Sequence, residues 1–197
     1  MKRSDEEARW RLERELLDCA ALAQRMSGEG AAAILTAVER ITASFKAGGK
    51  LLLCGNGGSA ADCQRMAAEL VSRLSRERER PGLPALALTT DTSFLTAYSN
   101  DYGFEGVFER QVEAHGRRGD VLIAISTSGN SQNVIRAVRR ARAMGMTTIG
   151  LLGEGGALTG LVECPVVVPS RDTQRIQEVL LCVEHILCDL TESALFP

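Results

Sequence analysis

Apolar positions recur at helical spacing near the start of the chain, then change to short unbroken runs separated by helical stretches. Trp10, Leu12, Leu16, Leu17 and Leu22 predict a helix over residues 5–26, and residues 31–46 repeat the pattern. From there on, apolar runs at 51–54, 85–89, 121–126, 148–152 and 166–168 predict strands. Helical patterns near 60–74, 105–115, 132–144 and 173–195 lie between most of them. Strands that are apolar throughout, alternating with helices, make a parallel sheet covered on both faces. Right-handed crossovers then give an α/β fold, a doubly wound three-layer sandwich with five parallel strands. No linker or repeat divides the chain, so one domain over 1–197 is expected, with N-terminal helices at 1–46 and an α/β core at 47–197. The two N-terminal helices exceed what one sheet needs, and their apolar faces are expected against a neighbouring subunit.

Composition narrows the function. The 197 residues carry 23 basic and 25 acidic side chains, a formal charge of −2, which argues against a nucleic-acid partner. No apolar run reaches the 18 or so residues of a membrane span, and the charged N-terminus lacks a signal peptide's apolar stretch. A cytoplasmic chain is expected. Only Lys2, Lys46 and Lys50 are lysines, and neither Lys46 nor Lys50 sits in the apolar setting that Schiff-base chemistry needs. Cys19, Cys54, Cys63, Cys164, Cys182 and Cys188 form no Cys-x-x-Cys and lie mostly in apolar runs, which reads as reduced core thiols. The run Arg76-Glu-Arg-Glu-Arg80 reads as a solvated loop, and Pro81-Gly-Leu-Pro84 leads from it into the next strand.

Two segments carry candidate chemistry. Gly55-Asn-Gly-Gly-Ser59 and Ser126-Thr-Ser-Gly-Asn-Ser131 each follow a predicted strand and open a predicted helix. In open parallel sheets that is where ligands bind, because helix N-termini offer unpaired N–H groups. Glycines allow close backbone approach, and the hydroxyls of Ser126, Thr127, Ser128 and Ser131 add donors without charge, a suitable cradle for a phosphate dianion. Gly55-x-Gly57-x-x-Ala60 also fits a dinucleotide fingerprint, but the acidic residue expected about 20 positions on is missing. Glu77 and Glu79 fall in the charged loop and Asp91 comes too late.

With Ser99-Asn-Asp-Tyr-Gly-Phe104 and Arg175-Ile-Gln-Glu178 added to the stretches 54–62 and 125–131, the chain resembles the sugar isomerase (SIS) family over nearly its whole length. The resemblance implies a flavodoxin-like SIS fold and a cytosolic homotetramer with active sites at subunit contacts. The activity it implies converts sedoheptulose 7-phosphate into D-glycero-D-manno-heptose 7-phosphate. Substrate contacts would be Asn56, Gly57, Gly58, Ser59, Glu69, Asn100, Asp101, Ser126, Thr127, Ser128, Ser131 and Gln177. Glu69 and His185 would form the acid–base pair, which suits proton movement between adjacent carbons through an enediolate. His115 has no motif support and reads as a helix-end residue. The rival readings are an isomerase of another phosphosugar and a non-catalytic SIS relative that binds the bacterial replication initiator protein. The ending Ala194-Leu-Phe-Pro197 resembles that relative's tail.

The resemblance also implies zinc, held by a histidine one turn before the catalytic glutamate together with Glu69, Gln177 and His185. Here the histidine position is Arg65, and another frequent histidine is Leu180. A guanidinium keeps its charge and offers no lone pair, so zinc binding should be much weakened. Arg65 and Glu69 stand at i and i+4 and can pair, so the guanidinium is expected to stand in for the metal charge, while favouring an ionised and therefore less basic Glu69. Gln177 and His185 are separated by roughly 12 Å along a helix axis. At least one site residue is therefore expected from a neighbouring subunit, either half of the Glu69–His185 pair included.

Overall fold

The computed structural model describes residues 2–197. Helix α1 (Lys2–Arg25) passes through a π-helical turn at Met26–Gly30 into α2 (Ala31–Lys46). Strands β1 (Leu51–Gly55), β2 (Ala85–Ala87), β3 (Val121–Ser126), β4 (Thr147–Gly153) and β5 (Cys164–Val168) form one sheet in the order β2-β1-β3-β4-β5. Every pairing is parallel. Helix α3 (Gly58–Val71) joins β1 to β2, and α6 (Gln132–Ala143) joins β3 to β4. Helices α4 (Thr92–Tyr102) and α5 (Val107–His115) lie between β2 and β3, and α7 (Thr173–Leu195) ends the chain.

The central strands β1, β3 and β4 are almost wholly buried because both faces are covered, while the edge strands β2 and β5 are only partly so. Leu51, Leu53, Ile123, Ile149, Leu151 and Val166 point into a core shared with α2, α3 and α7. Leu52, Cys54, Leu122, Ala124 and Leu152 point the other way, into a core shared with α5 and α6. Among the described residues no helix is long and apolar enough to cross a membrane.

Four expectations change. Helix α4 is absent from the sequence reading because none of its residues is fully buried, which leaves its apolar pattern weak. Its start is marked instead by Asp91, whose Oδ1 accepts from the backbone N–H of Phe94 at 2.9 Å. The helix expected over 60–74 stops at Val71, and the strand expected over 85–89 is only three residues long. The N-terminal helices are divided in role. Ile34, Ala37, Val38 and Ile41 of α2 belong to the central core, whereas Trp10, Leu12, Leu16 and Leu17 of α1 stay exposed.

The charged run 76–80 is the fourth. Arg76, Glu77 and Glu79 are exposed, but the side chain of Arg80 is wholly buried. Its guanidinium donates to the carbonyls of Leu70 (2.7 Å) and Glu69 (2.9 Å), the last turn of α3, and pairs with buried Glu192 of α7. A cation on the orphan carbonyls of a helix C-terminus satisfies both hydrogen bonding and the helix dipole. Arg80→Ala would strand the Glu192 carboxylate and these carbonyls, with an expected loss of about 3–5 kcal/mol in urea unfolding. Arg80→Leu combined with Glu192→Leu should lose clearly less; equal losses would show that the ion pair is not what matters.

Candidate active site

In the order 2-1-3-4-5 the connections from β1 and β3 leave in opposite directions, which opens a crevice at the carboxyl ends of these adjacent strands. The loops 55–59 and 126–131 flank that crevice. Gly57 makes the first turn possible: its φ of 57° and ψ of −120° suit glycine rather than an L side chain. Gly58 opens α3 where a Cβ would lie 2.2 Å from Nε2 of Gln177, so the Gln177 amide rests directly on this glycine. In the second loop, buried Ser126 ends β3 and its Oγ lies 3.4 Å from Oγ of Ser131, the N-cap of α6. Thr127 is half-buried, and exposed Ser128 accepts from the N–H of Asn130 at 3.2 Å.

A residue absent from the sequence reading locks the two loops together. Asn133, in the first turn of α6 and almost fully buried, exchanges two hydrogen bonds with Asn56 (2.9 and 2.8 Å). The visible signal was its place two residues after Ser131 in a helix-opening motif. Asn100 and Asp101, by contrast, sit exposed at the end of α4, bonded to each other at 2.9 Å and, among the described residues, to neither loop. His115 is the exposed last residue of α5.

The acid–base candidates meet on one chain. Helices α3 and α7 run side by side in the same direction, with Gln177 at Gly58, Glu184 at Arg65, His185 at Glu69 and Glu192 at Leu74. Nε2 of His185 lies 3.3 Å from Oε1 of Glu69 within one chain, so this pair forms without a neighbouring subunit. His185 is half exposed, while Glu69 keeps only 15% of its side chain in solvent. The separation of Gln177 from His185 persists in the fold: Gln177 rests at Gly58, whereas His185 lies at Glu69.

Arg65 gathers three carboxylates: Asp62 at 3.7 Å, Glu69 Oε1 at 3.2 Å and Glu184. One guanidinium cannot neutralise three charges, so part of the cluster titrates upward. Glu184, with no exposed side chain, is pushed up to about 8 by burial and by Asp62, against the pull of Arg65. Burial likewise raises Asp62, with Arg65 opposing. Burial pushes the Cys54 thiol up to about 12 and raises Cys63 and Cys188 as well, so these are core thiols and not nucleophiles. Cys182 is exposed and Cys19 partly so, which departs from a purely buried set.

These residues do not fit a zinc ion. The guanidinium of Arg65 occupies the Glu69 oxygen that faces His185, and the Gln177 amide lies about three helical turns of α3 away, at Gly58. Among the described residues no three His, Cys, Asp or Glu side chains are grouped to hold a metal.

The raised Glu184 carboxyl has a consequence for stability. A group lifted from 4.5 to about 8 favours the folded state fully below its unfolded value, and that advantage is lost as pH rises towards 8. Thermal unfolding should show stability falling across this window, and Glu184→Gln should flatten the slope. Parallel slopes for the two proteins would contradict the assignment.

A SIS domain family model matches residues 17–153. The phosphoheptose isomerase of Trichlorobacter lovleyi is 54% identical over 184 residues, 93% of each chain. That of Roseiflexus sp. is 53% identical over 98% of this chain and 97% of its own. The phosphoheptose isomerase structure from Neisseria gonorrhoeae superposes with a TM-score of 0.88 at 41% identity, covering 94% of this chain and 99% of that one. The Francisella tularensis enzyme gives 0.90 at 34%, covering 94% and 98%. With its crevice at the β1/β3 switch point and both signature loops in place, the chain belongs to the SIS domain family, on its phosphoheptose isomerase branch.

Proposed function

We propose that the protein is an aldose–ketose isomerase that converts sedoheptulose 7-phosphate into D-glycero-D-manno-heptose 7-phosphate. The observation that carries the mechanism is the 3.3 Å contact between Glu69 and His185 on adjacent helices. Glu69 takes a proton from C1, and the electron pair forms the C1=C2 bond of an enediolate. His185 moves a proton from O1 to O2, and Glu69 returns its proton to C2. The net change is one hydrogen shifted from C1 to C2 and one from O1 to O2, with no external oxidant or reductant. A partly shielded carboxylate beside a half-exposed imidazole suits that division of labour.

The phosphate is assigned to the cradle of Ser126, Thr127, Ser128 and Ser131 at the start of α6, where hydroxyls and helix N–H groups meet a dianion without a basic side chain. Asn56 and Asn133 set the spacing of the two loops around it. The exposed position of Asn100 and Asp101 suits residues that complete a site on a neighbouring subunit. Exposed Trp10, Leu16 and Leu17 on α1, and Ile186 next to His185, support a homotetramer with subunit contacts close to the active site.

Incubation with sedoheptulose 7-phosphate should give the aldose, and Glu69→Gln should lower kcat by at least about a hundredfold. Because Glu69 and His185 share one chain, mixed tetramers of Glu69→Gln and His185→Gln subunits should regain no activity. Turnover by such mixtures would contradict the assignment. In light scattering the protein should behave as four chains, and Ile186→Arg should split the assembly; an unaltered tetramer would move the interface away from α7.

A further inference from the structure

Glu184 is buried without solvent contact, yet nothing in the acid–base chemistry uses it directly. It precedes His185 on α7 and faces α3, where its Oε2 accepts from Nη2 of Arg65. The other terminal nitrogen of the same guanidinium, Nη1, donates to Oε1 of Glu69 at 3.2 Å. That oxygen in turn faces Nε2 of His185. A planar guanidinium hydrogen-bonded at both terminal nitrogens has its orientation fixed, whereas with Glu69 and only the more distant Asp62 (3.7 Å) a long side chain with 27% exposure would sample several rotamers.

We propose that Glu184 is a positioning residue for the isomerisation: it anchors the Arg65 guanidinium against Glu69, and this fixed cation stands where the family's metal would stand. The inference rests on the isomerase reading. An enediolate builds negative charge on two neighbouring oxygens, and a pre-oriented cation beside the base complements it without reorganisation during the reaction. The anchor needs only an acceptor oxygen at Glu184, so a neutral carboxyl or an amide serves it. A lysine at position 65 would be a point charge, unable to bridge Glu184 and Glu69 in one plane.

The test compares kcat and KM of Glu184→Ala, Glu184→Gln and Arg65→Lys with sedoheptulose 7-phosphate, alongside thermal unfolding and zinc content by mass spectrometry. Glu184→Ala should lower kcat by about tenfold or more, with KM little changed. Glu184→Gln should restore most of that loss. Guanidinium ion at non-denaturing concentration should rescue Arg65→Ala, but not Arg65→Ala combined with Glu184→Ala. An unchanged kcat in Glu184→Ala, rescue that is indifferent to Glu184, or one zinc per chain in the unmutated protein would each overturn the proposal. If Glu184→Ala does not fold, Arg65→Lys carries the test: loss of kcat at similar KM supports the anchor, and an unchanged kcat overturns it. No turnover by the unmutated protein would instead overturn the isomerase reading itself, and the catalytic role of Glu184 with it.

Discussion

The parallel contact between α3 and α7 is what the rest of the molecule depends on. These helices come from opposite halves of the chain, and two buried glutamates of α7 tie them together. Glu184 pairs with Arg65 in the middle of α3, and Glu192 pairs with Arg80, which caps the helix's last turn. The two glutamates are spaced by about two turns on one face of α7. Removing charges from water is costly, so such pairs persist where their remaining atoms are also bonded. Both terminal nitrogens of Arg80 meet that condition, through Glu192 and the carbonyls of Glu69 and Leu70, although its buried Nε has no partner, and these bonds fix the turn of α3 that carries Glu69.

The sheet supplies the other half of the site. Its order places β1 beside β3, and the two loops that leave them are joined by the Asn56–Asn133 pair. In the proposed reaction, phosphate binding and proton transfer are thereby built on different supports. The cradle belongs to the strand ends and the start of α6, while the acid–base pair belongs to α3 and α7. Gln177 on Gly58 links the two, since it lies on α7 yet touches the residue that opens α3. A Cβ at position 58 would push that amide away, which explains the second glycine of the loop in terms of packing as well as ligand approach.

Much of this was legible in the sequence. Five apolar runs alternating with helices specify a parallel sheet because only a sheet covered on both faces buries every residue of a strand. The two candidate loops were legible because glycines and hydroxyls cluster at the strand-to-helix turns. What escaped reading depended on distant partners. Arg80 looked solvated among alternating charges, and only a glutamate 112 residues away makes its burial affordable. Glu184 did leave a signal: it falls on the stripe of Leu180, Leu187 and Thr191, all buried, where an unpaired carboxylate would not be tolerated. Helix α4 escaped because its apolar residues are only half-covered, so periodicity gave little to read.

In the proposed reaction one substrate spans both supports, with its phosphate at the 126–131 loop and its reacting carbons between α3 and α7. The most direct measurement is a crystal structure of the Glu69→Gln variant soaked with sedoheptulose 7-phosphate. Phosphate density is expected among Ser126, Thr127, Ser128 and Ser131, with C1 and C2 within hydrogen-bonding reach of position 69 and His185. Phosphate bound elsewhere, or C1 and C2 held away from the α3–α7 contact, would contradict this arrangement.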